Sequence, residues 1–293
     1  MCANHTPLGD LKQGYRDPKG LGSTVEAGER FAFGKNWRAF LSVLNDERIA
    51  VAEESLREML ETDSLAGKSF LDIGSGSGLF SLAAARLGAS PIHSFDYDPE
   101  SVACTQELKR RYRPAAEAWT VERGSALDGG YIESLGHFDI VYSWGVLHHT
   151  GDLWRALGLV TGRVKRGGRL FMALYNDQGL ISRGWTLVKR TYNRGWLGRM
   201  LVTGCFVPYF AGRGLASDLV HLRNPAVRYR QYQKERGMSV VHDWRDWLGG
   251  YPFEVARPDE VVRFCQERGL TVVKVKTCGR SLGNNQFVFA KPA

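Results

Sequence analysis

The chain has 293 residues, 43% of them hydrophobic and 24% charged, which excludes a disordered polypeptide and suits one large α/β domain or a core with an accessory part. No apolar run reaches the roughly 20 residues of a membrane-spanning helix, residues 1–10 lack the apolar segment of a secretory signal, and five scattered cysteines without CxxC spacing give neither a disulfide framework nor a thiolate metal site; a cytoplasmic, metal-free protein is expected. The net charge of +8 is concentrated, because residues 177–240 hold eleven Lys plus Arg against three acids while the remainder balances at 28 of each.

Residues 1–30 are polar and glycine-rich without a period, and read as loop. Phe31, Phe33 and Trp37 lead into a helix over 46–61, one face of which is marked by Ile49, Ala52, Leu56, Met59 and Leu60. The aromatics either pack that helix onto the core or, through Trp37 and Asn36, form a lid over a bound ligand. Residues 1–64 are therefore expected to be an N-terminal extension with lid helices.

Residues 69–80 organise the rest of the chain. Phe70, Leu71 and Ile73 suit a short parallel strand covered on both faces. Gly74, Gly76 and Gly78 let the backbone turn sharply and approach a ligand closely. Leu79, Leu82, Ala83 and Leu87 then have helical spacing, stopped by Gly88. A dinucleotide fingerprint would need its third glycine at position 79, which is Leu79. Asp72, at the strand end, would oppose a pyrophosphate and attract a cationic group such as an ammonium.

Residues 91–99 read as a second strand ending in acid, and Asp96 lies 22 residues beyond Gly74, the offset at which a carboxylate accepts hydrogen bonds from ribose hydroxyls. Asp98 and Pro99 form the N-cap and first position of a helix reaching about residue 113, and a third strand lies near 116–121. Residues 138–150, F-D-I-V-Y-S-W-G-V-L-H-H-T, read as a fourth strand and its loop. His148 and His149 are the general-base candidates there, because imidazole titrates near neutral pH. Asp139, beside the strand start, reads as structural.

A turn and fifth strand come next, at 165–174, and the expected next helix and closing hairpin are displaced by an insertion over 177–255. It contains Trp185, Tyr192, Trp196, Phe206, Tyr209 and Phe210, with an apolar stretch over 196–210 broken by Gly198 and Gly204. Its positive charge fits a cap meeting an anionic small-molecule acceptor, an anionic membrane surface, a nucleic-acid backbone, or a solvated face with no partner. The aromatic loop around His242 and Trp247 either shapes a substrate pocket or packs. A helix from Pro258 to about 268 and two strands, at 270–277 and 285–290, close the chain as residues 256–293.

The pattern D-x-G-x-G-x-G from Asp72 to Gly78, together with residues 138–150 and 165–173, resembles the class I S-adenosylmethionine-dependent methyltransferases. The likeness covers residues 65–176 and the closing segment. It implies a Rossmann-like, doubly wound seven-stranded sheet with the last strand antiparallel, and S-adenosylmethionine as cofactor. The implied cofactor contacts are Asp72, Gly74, Ser75, Gly76, Gly78, Asp96, Tyr97, Ser125, Ala126 and Ser143; where the family often has an adenine-contacting aspartate, this chain has Ser125. Trp37, Trp144, Tyr175, Asn176, His242 and Trp247 are the expected substrate-side residues. The expected reaction is in-line methyl transfer to a small-molecule hydroxyl, as in the quinone O-methyltransferase-like branch. The alternatives are an RNA methyltransferase using the basic insertion and a cofactor-binding protein without catalysis, with a dehydrogenase disfavoured by Leu79.

Overall fold

The computed structural model describes residues 34–113, 118–221, 224, 244, 247–279, 281 and 283–293. Its centre is a seven-stranded sheet in the order β3-β2-β1-β4-β5-β7-β6. The strands are β1 (Phe70–Ile73), β2 (Ile92–Asp96), β3 (Trp119–Arg123), β4 (Phe138–Trp144), β5 (Val164–Tyr175), β6 (Thr271–Lys276) and β7 (Asn284–Ala290). The first five are parallel, and β7 runs antiparallel between β5 and β6. The chain steps outward from β1 to β2 and β3, then returns to place β4 on the other side of β1. That reversal opens a crevice at the carboxyl ends of β1 and β4, where ligands of open α/β sheets bind.

All four residues of β1 are buried, and the pleat divides them. Phe70 faces a core layer built from α2 (Asp46–Leu60), α3 (Leu79–Arg86) and α4 (Pro99–Tyr112), including Ile49, Leu56, Leu82 and Leu108. Leu71 and Ile73 face the opposite layer, with Leu153, Leu157 and Val160 of α6 (Leu153–Thr161) and Val261 of the helix over Pro258–Gln266. Because side chains alternate along a strand, Asp72 is turned to the α3 side with Phe70. A short helix, α5 (Gly129–Ser134), precedes β4.

Local chemistry sets the helix ends. Asn45 accepts the Arg48 N–H at 3.0 Å and caps α2. Asp98 caps two helices at once: Oδ1 takes the Glu100 N–H of α4 and Oδ2 takes the Gly34 N–H of α1 (Gly34–Leu41), each at 2.9 Å. Helix α1 is thereby moored to α4, and Arg38 adds an ion pair to Glu100 at 3.7 Å.

The insertion leaves the sheet after β5 as a helical hairpin, α7 (Leu180–Asn193) and α8 (Trp196–Val220), followed by the helix α9 (Pro258–Gln266) of the closing segment. Its two ends lie side by side, since Asn176 bridges Ala256 and the Ala256 N–H donates to the Tyr175 carbonyl at 3.0 Å. The glycines that interrupt the apolar stretch, Gly198 and Gly204, do not interrupt the helix; α8 runs through both, and through Pro208. A Cβ at Gly198 would lie 2.0 Å from the Thr191 carbonyl oxygen, so this glycine lets the two helices touch. Burial of Val202 with Phe206 and Phe210 against Trp185 and Tyr192 offsets the helix cost of the glycines.

Candidate active site

The glycine turn is fixed by its neighbours. Gly74 and Ser75 both donate their N–H to the Phe95 carbonyl, at 2.9 and 3.0 Å, and the Gly76 N–H donates to Asp96 Oδ2 at 2.9 Å. Gly74, Gly76 and Gly78 have φ of +75°, +54° and +79°, a region that strains residues with a Cβ. Each glycine is pressed by a different wall: a Cβ would come within 2.4 Å of Val146 at Gly74, 2.9 Å of Trp37 at Gly76 and 2.8 Å of Thr105 at Gly78. The turn therefore collects the loop after β4, helix α1 and helix α4 around one small volume. Ser75 belongs to the wall side, with its hydroxyl 3.0 Å from that of Thr105.

Asp72 differs from the expectation. It is 2% exposed and does not face the crevice, for the pleat turns it to α3, where it accepts the Ser81 hydroxyl. Ser81 lies 2.7 Å from the Ser94 hydroxyl, and Ser94 accepts the Trp119 indole N–H at 2.9 Å. With the Ser94 hydroxyl donating to Ser81, the hydrogen bonds run in one direction, from Trp119 through both serines to the carboxylate. Burial raises the Asp72 pKa to about 7, opposed by the Ser81 hydrogen bond and reinforced by the charge of Asp96.

Asp96 ends β2 beside the turn. Its second oxygen accepts the Asp98 N–H at 2.9 Å, so both oxygens hold backbone while keeping further lone pairs. Burial raises its pKa to about 6 against those backbone hydrogen bonds. Tyr97 is half exposed, with the Arg123 guanidinium 5.5 Å from its ring centre. The Ser125 hydroxyl accepts the Leu127 N–H at 3.2 Å, and Ala126 is buried in the core beneath. Ser143 also departs from the expectation: it is fully buried, and its hydroxyl donates to the Ile73 carbonyl at 3.2 Å, across the seam between β1 and β4.

The loop that presses Val146 onto Gly74 continues into a single 3₁₀ turn, Leu147–His149. His148 Nδ1 accepts the Tyr175 N–H at 3.2 Å, which places its proton on Nε2, a buried donor with no partner among the described residues. His149 Nδ1 lies 2.6 Å from the Pro252 carbonyl and must donate to it, leaving Nε2 as the acceptor nitrogen. Neither imidazole titrates near neutral pH, contrary to the sequence expectation. Burial drives His148 well below its usual value, with His149 and Lys189 adding to the fall. Burial likewise brings His149 to about 3, partly opposed by the Pro252 hydrogen bond and assisted by Lys189. Both rings are neutral at pH 7, and Nε2 of His148 is a donor rather than a base.

Tyr175 lies 3.9 Å from the His148 ring and 5.9 Å from Trp247, centre to centre. Phe253 joins them at 5.1 Å from Tyr175. Into this group α7 inserts Lys189, fully buried, donating to the Trp247 carbonyl, with its ammonium 4.4 Å from the Trp247 ring centre and 4.8 Å from that of Phe253. By composition alone Lys189 groups with a basic face. Its phase with Ser182, Trp185 and Tyr192, at helical spacing on the inward side of α7, is the signal that distinguishes it.

The other expected residues fall in three places. Trp37 lies on the glycine turn, while Trp144 is exposed at the end of β4. Asn176 is spent on the closing hairpin, because its amide donates to the Gly279 carbonyl at 3.1 Å and its oxygen accepts from Asn285 at 2.9 Å. His242, the Asn36 side chain and residues 1–33 lie outside the described residues. Asp139 is structural as expected, held by the Ser69 N–H and hydroxyl and by Lys165 at 3.0 Å.

Residues 71–170 match the family described as "Methyltransferase domain". The ribosomal protein L11 methyltransferase of Methylococcus capsulatus is 46% identical over 147 residues, covering 48% of this chain and 47% of that protein. The protein of the same name from Geobacillus kaustophilus is 25% identical over 195 residues, or 59% of each. The chain thus spans about half the length of the curated relatives it matches. Among solved structures, an O-methyltransferase family protein from Burkholderia thailandensis superposes with a TM-score of 0.53 at 13% identity, over 89% of this chain and 62% of that one. Magnesium protoporphyrin IX methyltransferase from Synechocystis PCC 6803, solved with bound S-adenosylmethionine, gives 0.51 at 10% identity, over 92% and 99%. Those two likenesses are of fold. The crevice with its glycine turn lies inside the matched region, residues 71–170, which is similar to the methyltransferase domain family.

Proposed function

We propose that the chain is an S-adenosylmethionine-dependent methyltransferase whose acceptor is a small molecule bearing an ionisable hydroxyl, a phenol or an enol. The residues of the crevice fit the cofactor. Gly74, Gly76 and Gly78 hold the tight turn at positive φ, Asp96 has lone pairs for ribose hydroxyls, and Tyr97, Ser125 and Ala126 follow at the ends of β2 and β3, on the side for the base. Asp72 sets the turn from below through Ser81. When bound, the cofactor supplies an electrophilic methyl group on a sulfonium.

The observation that carries the acceptor class is the buried Lys189 beside His148 and His149, on the loop whose Val146 rests on Gly74. Two neutral imidazoles and an ammonium make an electropositive cluster packed among aromatic rings. An acceptor oxygen there is held as its anion by the His148 Nε2–H and the field of Lys189, so that no strong base is needed. The chain's contribution is then alignment and exclusion of water.

The test has two stages. Calorimetric titration is expected to give micromolar binding of S-adenosylmethionine and S-adenosylhomocysteine, and none of NADH; NADH binding alone would overturn the assignment. Transfer of a labelled methyl group is then followed to a panel of phenols and enols and, in parallel, to ribosomal protein L11. The second arm tests a protein acceptor, a reading favoured by the 46% identity to an L11 methyltransferase. Transfer to the protein with none to the panel would replace the small-molecule proposal.

A further inference from the structure

The outer face of the α7–α8 hairpin is apolar. Leu197 and Leu215 are five helical turns apart, with Leu201 and Leu219 one turn beyond each, and all four are exposed. The positions between them on that stripe, Gly204, Cys205, Pro208 and Gly212, are exposed and uncharged. Helix α7 adds Leu180 and Leu187, seven residues apart on one exposed side. A continuous stripe of this kind on a surface helix marks an interaction site rather than the scattered exposure of ordinary surfaces.

Charge narrows the partner. Arg183, Arg190 and Arg194 follow one another at helical spacing beside Leu187 on the exposed side of α7, and no charged residue interrupts the stripe of α8. Neither helix has an exposed acid, for the single one, Asp218, is buried. A second copy docking face to face would bury the arginine row of α7 with no carboxylate on either helix to receive it. A nucleic-acid backbone would satisfy the arginines and leave the leucines in water. Acyl chains beneath anionic headgroups satisfy both. No helix among the described residues is long and apolar enough to cross a membrane, so the hairpin would lie in the interface.

The geometry points to the α7–α8 hairpin as a docking surface for an anionic lipid bilayer, lying flat with its leucine stripe among the acyl chains and its arginines at the headgroups.

The full chain is tested by flotation with phosphatidylglycerol–phosphatidylcholine vesicles and with phosphatidylcholine vesicles alone. Binding is expected to the mixed vesicles only, weakened at about 0.5 M salt, where screening shortens the reach of the arginines. Leu197→Glu with Leu201→Glu should abolish it, and Arg190→Glu with Arg194→Glu should lower it at least about tenfold. Circular dichroism and thermal melting confirm that each variant is folded, since all four side chains are solvent-facing. Failure of the folded wild type to float overturns the proposal, as does flotation undiminished in the glutamate variants. So does a dimer in solution, by light scattering, that those variants dissociate, or binding of a single-stranded oligonucleotide in place of vesicles.

Discussion

Asp96→Asn separates the two jobs of the β2 carboxylate. In the wild type, Oδ2 and Oδ1 each take one backbone N–H, from Gly76 and Asp98, at 2.9 Å. An amide offers one oxygen, so one buried N–H loses its acceptor at a cost of about 1–3 kcal/mol. Against this stands the cost of ionising a buried carboxylate, whose pKa is raised from 3.8 to about 6. At about 1.4 kcal/mol per unit that cost is on the order of 3 kcal/mol. Because the folded value lies above the unfolded one, the stability linked to the bound proton is complete below pH 3.8 and is lost as pH rises to about 6. The asparagine variant does not suffer that loss. Its deficit in urea unfolding should therefore be largest near pH 4 and shrink by on the order of 3 kcal/mol by pH 7. Asp72 titrates in both proteins, and losing the neighbouring charge eases its own ionisation, which acts in the same direction. Affinity for S-adenosylmethionine should rise with pH through 6 in the wild type, and be weaker and flat in the variant. Parallel stability curves across pH 4–7 would refute the assigned origin of the shift.

Asp139 should behave in the opposite sense. Burial raises its pKa, but the Ser69 hydrogen bonds and Lys165 prevail and bring it to about 2, so its contribution is present above 3.8 and lost as pH falls toward 2. Allowing for screening at a partly exposed site, Asp139→Asn should cost about 1–2 kcal/mol at pH 7 and little at pH 2, measured by acid-dependent unfolding. Lys189→Met removes one cause of the depressed histidine values, so the His148 and His149 imidazole resonances should titrate at higher pH; unchanged titration would remove Lys189 from the site's electrostatics. The same variant should lose methyl transfer to anionic acceptors while keeping cofactor affinity, as measured by calorimetry.

What could be read from the sequence was local. Phe70, Leu71 and Ile73 declare a strand buried on both faces, the glycines of 74–78 declare their turn, and Asp98–Pro99 declares a helix start; each signal lies within a few residues of the element it specifies. The direction of Asp72 also follows from the pleat, but its partner Ser81 belongs to the next helix, and nothing in the spacing says that the carboxylate is satisfied from within. The histidine tautomers were beyond reach, being set by a Tyr175 N–H 27 residues from His148 and a Pro252 carbonyl 103 residues from His149. Lys189 was obscured by composition. Among eleven other basic residues of the insertion it reads as surface charge, and its inward phase has meaning only once α7 is known to lie over Tyr175. Gly198 misleads in the same way, because its helix cost is visible in the sequence and the approach to Thr191 that it permits is not.

The seat of Trp37 on Gly76 bears on how fast a ligand can arrive. Whatever comes to rest against the backbone of Gly76 must take the space that the indole fills, since that ring stands 2.9 Å from where a Cβ would be. On that reading admission would begin with departure of α1 from Asp98 and Glu100, and only the vacated fraction of molecules would bind. The association rate would report the unlatching of this helix and level off at high ligand concentration. Trp37→Ala should raise that plateau, and an association rate linear in concentration for the wild type would mean that the door stands open.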